Sequence, residues 1–349
     1  MNPLGPVAVG VEAKSLTAAD RERLAHPLAG MVILFSANYE SPEQLIRLCN
    51  DIHALRDPPL LIAVDHEGGR VQRFRDGFTR LPSMRRLGEL WDRDVLQACR
   101  VAASLGYVMA AELRAHGVDM TFAPVLDIDY GRSAVIGDRA LHSDVRVVSM
   151  LAAHLTHGLL LAGMANCGKH FPGHGWAEAD SHVALPVDSR ARKDISKNDA
   201  APYRWLGPML AGVMPAHVVY PQVDREPAGF SRNWIKKVLR EELGFTGAVF
   251  SDDLLMAGAG AAGTVVERAD AAFSAGCDFA LVCNDIDAMD QVLATIKWKR
   301  TGSFDARLAR LQPRGNAPTM AELGDAELYR NARQDVLELT EGRSGSISH

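Results

Sequence analysis

The chain has 349 residues, 47% of them hydrophobic, enough to fill one large α/β barrel or two medium domains. A formal charge of -5 with no basic run disfavours nucleic acid, an anionic membrane or any other polyanion as partner. Met1-Asn2-Pro3-Leu4-Gly5 lacks the basic and apolar stretches of a secretory leader, and no apolar run reaches the ~18 residues of a membrane span, so a cytoplasmic protein is expected.

Short apolar, β-branched runs alternate with longer amphipathic ones, the pattern of repeated βα units around a parallel sheet. The expected strands are Val7–Val11, Met31–Phe35, Leu60–Asp65, Met120–Pro124, Met164–Gly168, Val213–Ala216, Ala248–Ser251 and Phe279–Val282. Eight is the number a closed (β/α)8 barrel needs. Ser41-Pro42 opens a helix to about Arg56 as N-cap and N1. Further helices are expected over Val95–His116, Val147–Leu161, Ala200–Leu210, Ser231–Glu242, Val265–Ala275 and Ala288–Trp298. Gly244 and Gly276 fall where a left-handed C-cap belongs. Past Trp298 the chain turns polar, and Pro313, Gly315, Asn316 and Pro318 precede a charged helical stretch, Met320–Glu338. The expected organisation is a single barrel over 1–300, with 301–349 as a helical extension packed on it that ends in a frayed tail. Cys49, Cys99, Cys167, Cys277 and Cys283 are scattered and odd in number, so they are expected to be reduced and mostly buried.

Polar residues gather at the carboxyl ends of the strands. Asp65-His66-Glu67-Gly68-Gly69-Arg70 closes the third, Pro124 to Asp127 the fourth, Lys169-His170 the fifth, His217 the sixth and Ser251-Asp252-Asp253 the seventh. In a barrel those ends share one face, where an active site is assembled. The segment Lys169-His170-Phe171-Pro172-Gly173-His174-Gly175 reads as an exposed loop, because Pro172, Gly173 and Gly175 prevent a helix through it. Beyond it, Asp180 and His182 are spaced so that the carboxylate can hold one imidazole nitrogen and leave the other to move a proton near pH 7. A hydrogen-bonded surface pair is the plainer reading of those two, and a helix N-cap the plainer reading of Asp252, although Asp253 can fill that place. His66 and His174 are expected to be structural. Gly68-Gly69 reads as a tight turn that sends Arg70 and Arg73 in different directions, one structural and one toward substrate. Asp127 and Asp129 stay unassigned.

Five ordered motifs carry a resemblance: Asp65 to Arg73, Ile136-Gly137-Asp138-Arg139, Lys169 to Gly175, Asp180-Ser181-His182 and Phe250 to Leu254. Over almost its whole length the chain resembles glycoside hydrolase family 3, in particular its bacterial β-N-acetylglucosaminidases of cell-wall recycling. That resemblance implies Asp252 as nucleophile, His182 as acid/base and Asp180 as its orienting partner. It also implies that Asp65, Arg73, Arg139, Lys169 and His170 bind an N-acetylglucosamine unit. The implied reaction is retaining, exo-acting hydrolysis of N-acetylglucosaminyl-β-1,4-anhydro-N-acetylmuramic acid, with or without peptide, in peptidoglycan recycling. No cofactor and no metal are implied, and a monomer is expected. Trp176 departs from many relatives, which carry an acidic residue there; it lines the site or packs within the loop.

Three rivals remain. One is a β-glucosidase-type relative, disfavoured by the histidine dyad and by the lack of a second α/β domain after the barrel. Another is a metal-dependent barrel lyase or amidohydrolase using His170, His174 and His217, although Pro172 and Gly173 prevent a helical His170/His174 pair. The third is a non-catalytic sugar-binding protein with the same cationic pocket.

Overall fold

The computed structural model describes residues 3–178 and 185–342. Among them, eight parallel strands form one sheet in the order β6-β3-β2-β1-β10-β9-β8-β7. These are β1 (Val7–Val9), β2 (Ala29–Leu34), β3 (Leu61–Val64), β6 (Met120–Thr121), β7 (Cys167–Phe171), β8 (Gly212–Pro215), β9 (Ala248–Asp253) and β10 (Phe279–Val282). The two edges meet through isolated parallel bridges, Met120 with Ala165 and Val125 with Lys169, so the sheet curls into a nearly closed barrel. A short antiparallel hairpin, β4 (His66–Gly68) with β5 (Val71–Gln72), projects beyond β3.

Helices α1 (Ala18–Ala25), α2 (Pro42–His53), α3 (Arg85–Trp91), α4 (Val95–Ala115), α5 (Val145–Leu161), α6 (Arg192–Lys197), α7 (Ala201–Leu206), α8 (Val265–Ala275) and α9 (Ile286–Thr295) accompany the strands, with a π-helical stretch over Asn233–Glu242. Ser41 Oγ accepts from Gln44 N and Pro42 takes the first turn, so α2 starts where the sequence predicts. Gly276 closes α8 at φ 118°, a left-handed cap. After α10 (Gly302–Leu311) and α11 (Met320–Asp325), the long α12 (Glu327–Glu341) packs along α4. No helix among the described residues is long and apolar enough to cross a membrane.

Side chains two apart on a strand share a face. On β9, Phe250 and Asp252 are so related, and Phe250 lies edge-on to Phe122 at 5.4 Å and stacks on Phe279 at 5.0 Å. Gly212 on β8 leaves room for this ring, since a Cβ there would meet Phe250 Cε2 at 2.6 Å. Burying a side chain of this size contributes roughly 1.5–3 kcal/mol, so β9 is anchored immediately beneath its functional end.

The structure corrects one expectation that matters for function. The fifth strand runs from Cys167 to Phe171, about three residues later than predicted, and Lys169 through Gly175 are buried, not an exposed loop. Lys169 and His170 read as loop residues because they are polar, but partners distant in sequence, Asp65 and Asp127, hold them inside the barrel mouth. The seventh strand likewise continues through Asp253. Four of the five cysteines are buried and Cys99 is partly so, all five as free thiols.

Candidate active site

One cavity of about 460 Å³ opens at the carboxyl ends of the strands and is lined by Asp65, Arg73, Arg139, Lys169, His170 and Asp252. These are all of the sequence-predicted site residues that the structure describes. Asp180 and His182 lie outside the described residues.

Lys169 organises the cavity. Its Nζ donates to Asp65 Oδ1 at 2.7 Å and lies 2.6 Å from Glu67 Oε1, with the Lys169 and Glu67 side chains almost wholly buried. Glu67 also accepts a fork from Arg139, Nε and Nη2 each at 2.8 Å. Burial pushes the Glu67 carboxyl up, but Arg139 and Lys169 together overcome it and hold the group well below the usual carboxylate range. A chain of alternating charge results, running Asp65, Lys169, Glu67, Arg139. Two of Arg139's five donors are thereby committed to Glu67, and Nη1 also donates to Val135 O at 3.2 Å. Glu67 was not expected from sequence. The signal was its place two residues after Asp65 at the β3 end, within the first motif.

Arg73 is held differently. Its Nη2 is 3.7 Å from Asp65 Oδ2, its guanidinium sits 5.9 Å from the Phe35 ring centroid, and its buried Nε has no partner among the described residues. Unspent donors on a cation facing a cavity suit a ligand rich in hydroxyls. Arg70, by contrast, donates to the carbonyls of Ala134, Val135 and Ile136 and to Asp138, tying the 133–139 segment to the hairpin. The two arginines diverge at Gly68 and Gly69, whose φ values are 110° and 55°.

His170 Nδ1 bonds Asp127 Oδ2 at 2.7 Å, and the same carboxylate accepts from His170 N and from His174 N at 2.6 Å. Asp127, left unassigned by the sequence, is therefore the post that fixes β7 to the segment after it. His217 is fully buried, stacks on Phe230 at 5.3 Å and donates from Nε2 to Asp253 O at 3.1 Å. Burial lowers its pKa. His170 is thus held by Asp127 and His217 by the Asp253 carbonyl, the His174 ring lies edge-on to that of His170 at 6.1 Å, and no three His, Cys, Asp or Glu among the described residues group to hold a metal ion.

Asp252 caps this arrangement at the end of β9. Its Oδ1 accepts from Asp253 N at 2.9 Å. Burial alone would push its pKa up, but His217, His170, the Asp253 N–H and Lys169 outweigh it, and the carboxyl lies below its ordinary value. The neighbouring Asp253 goes the other way, to about 6, through burial and the Asp252 charge. It fills the turn role, with Oδ1 accepting from Leu255 N and Oδ2 from Asn284 Nδ2. An ionised carboxylate aimed into a cavity with cations and hydroxyl-binding groups is suited to attack an electrophilic carbon.

Trp176 packs outside the cavity. Its ring lies 4.4 Å from the Arg132 guanidinium and 4.6 Å from that of Arg190, and edge-on to Tyr130 at 5.2 Å.

Comparison with known proteins supplies the family. The model of the Glycosyl hydrolase family 3 N terminal domain matches residues 6–313. This chain belongs to glycosyl hydrolase family 3. A Beta-hexosaminidase of Bordetella avium is 57% identical over 342 residues, which is 97% of each chain. Native NagZ from Neisseria gonorrhoeae superimposes with a TM-score of 0.92 at 44% identity, covering 97% of this chain and 98% of that one. The same protein in complex with N-trifluoroacetyl-D-glucosamine gives 0.93 at 46% identity over 97% and 98% of the two chains. The family 3 barrel described above is accordingly that of a glycoside hydrolase, a β-N-acetylhexosaminidase.

Proposed function

We propose that this β-hexosaminidase is a retaining exo-β-N-acetylglucosaminidase that removes the terminal non-reducing sugar from cytoplasmic muropeptides, N-acetylglucosaminyl-β-1,4-anhydro-N-acetylmuramic acid with or without its peptide, in peptidoglycan recycling. The observation that carries the reading is Asp252, ionised and aimed into the same cavity as Asp65, Arg73, Arg139, Lys169 and His170. The complex of the gonococcal relative with N-trifluoroacetyl-D-glucosamine supports an N-acylglucosamine as the sugar.

In the proposed reaction, Asp252 attacks C1 while the glycosidic C–O bond breaks and the departing oxygen takes a proton from His182, which Asp180 orients. Water then attacks C1 of the glycosyl ester, gives its proton to His182 and releases Asp252. Asp65, Arg73, Arg139, Lys169 and His170 hold the sugar hydroxyls. A histidine in the acid role titrates near neutrality without the burial that a carboxylic acid needs. The enzyme acts as a monomer without cofactor, residues 1–300 forming the catalytic barrel and 301–349 its extension.

The test is to trap the enzyme with a 2-acetamido-2-deoxy-5-fluoro glycosyl donor and map the labelled peptide. The adduct is expected on Asp252; a label elsewhere, or hydrolysis with inversion, overturns the mechanism. Faster turnover of p-nitrophenyl glucoside than of p-nitrophenyl N-acetylglucosaminide would overturn the choice of sugar.

A further inference from the structure

Glu112 is a carboxylate the reaction does not use, buried in the middle of α4. A polar group there needs hydrogen-bonding partners, and it has three. Thr79 gives it both its N–H, at 2.9 Å, and its hydroxyl, while Tyr329 of α12 donates its phenol O–H at 2.5 Å. Arg333, one helical turn further along α12, donates from Nε to Thr79 Oγ1 at 3.0 Å. The C-terminal helix thus reaches through α4 to the segment that follows β5.

From Thr79 the connection continues toward the cavity. Gln72 Nε2 donates to Thr79 O at 2.9 Å and to Phe74 O at 3.1 Å, and Gln72 Oε1 accepts from Leu81 N at 2.9 Å. Gln72, Thr79, Glu112 and Tyr329 are each no more than 4% exposed, so water does not compete for these bonds. The residue after Gln72 is Arg73. Among the described residues its guanidinium makes no short bond, only the approaches to Asp65 at 3.7 Å and the Phe35 ring at 5.9 Å. Its aim is therefore set by the backbone that carries it, and that backbone rests on Gln72, Phe74 and Thr79. The family match ends at residue 313, so the helix holding this network lies beyond it.

We infer that Tyr329 and Glu112 are positioning residues for the hydrolase, the C-terminal helix fixing the direction in which Arg73 presents its guanidinium to the sugar. This rests on the reading of Arg73 as a sugar-binding residue. It makes residues 320–341 a working part of the active site.

The experiment is a double-mutant cycle on the full-length enzyme with p-nitrophenyl N-acetylglucosaminide. Tyr329→Phe keeps the ring and removes one donor from the buried Glu112 side chain; it is expected to raise KM about fivefold with kcat within about twofold. Arg73→Ala alone raises KM, and adding Tyr329→Phe to Arg73→Ala changes it no further. A residue that merely stabilises the fold would lower Tm but contribute the same factor in both backgrounds, and that result overturns the inference while leaving Arg73 as a sugar ligand. An unchanged KM in Arg73→Ala overturns the reading of Arg73 and the inference with it. Should Tyr329→Phe fail to fold, Arg333→Gln, which acts on Thr79 from the exposed side of α12, is put through the same cycle with the same two readouts.

Discussion

At the scale of single residues, the division of labour is electrostatic. The groups around Asp252 hold its carboxyl below its ordinary pKa, so Asp252→Asn removes the charge proposed to attack while preserving shape; kcat is expected to fall about a thousandfold with Tm nearly unchanged. A loss below about tenfold would place the nucleophile elsewhere. His182→Ala is expected to slow a sugar leaving group far more than a phenolate, because an activated phenolate scarcely needs a proton; equal losses on the two substrates contradict the acid role. Glu67→Gln leaves Lys169 and Arg139 without the anion they share, and with both partners buried it is expected to lower stability by about 2–4 kcal/mol in chemical denaturation. Asp252, Asp65 and Lys169 were legible in the sequence as polar residues following apolar strand runs. Glu67 and Asp127 were not, since what distinguishes them is a bond to Arg139 or His170, and those partners lie tens of residues away.

At the scale of elements, the strands were legible wherever apolar alternation dictated them, and slipped where charge was buried. The β7 boundary is the clearest case: Lys169 and His170 are strand residues because Asp65, Glu67 and Asp127 converge on them, a fact no local pattern contains. The base of the following segment is equally tight. A Cβ on Gly175 would lie 1.9 Å from Ile128 O, whereas one on Gly302 in α10 would meet nothing within 4 Å. Gly175→Ala is therefore expected to depress both Tm and turnover, and Gly302→Ala to leave turnover intact and gain up to about 1 kcal/mol of helix stability. Comparable thermal melts for the two variants would contradict this account. Trp176 gave no usable signal of its place, because its contacts are guanidinium faces from Arg132 and Arg190.

At the scale of the whole molecule, acid is the expected threat. His26, His66, His116, His174 and His217 all have pKa values lowered by burial, His66 to about 3. Below about 6.5 the unfolded chain takes up those protons and the folded one does not, so stability falls as pH drops. Asp199 and Asp253, raised to about 6 by burial, bind protons in the fold first and oppose the trend with two groups against five. Tm is expected to decline steadily from pH 7 to 5; a flat or rising profile would show that the buried imidazoles do not govern it. The barrel itself is least well sewn between β6 and β7, where the ladder thins to isolated bridges. Across that join Lys169 grips Asp65 and Glu67, and Glu67 grips Arg139. The residues proposed to receive the sugar therefore double as the clasp of the barrel, and a ligand that engages both sides would fasten the cylinder as it occupies the mouth.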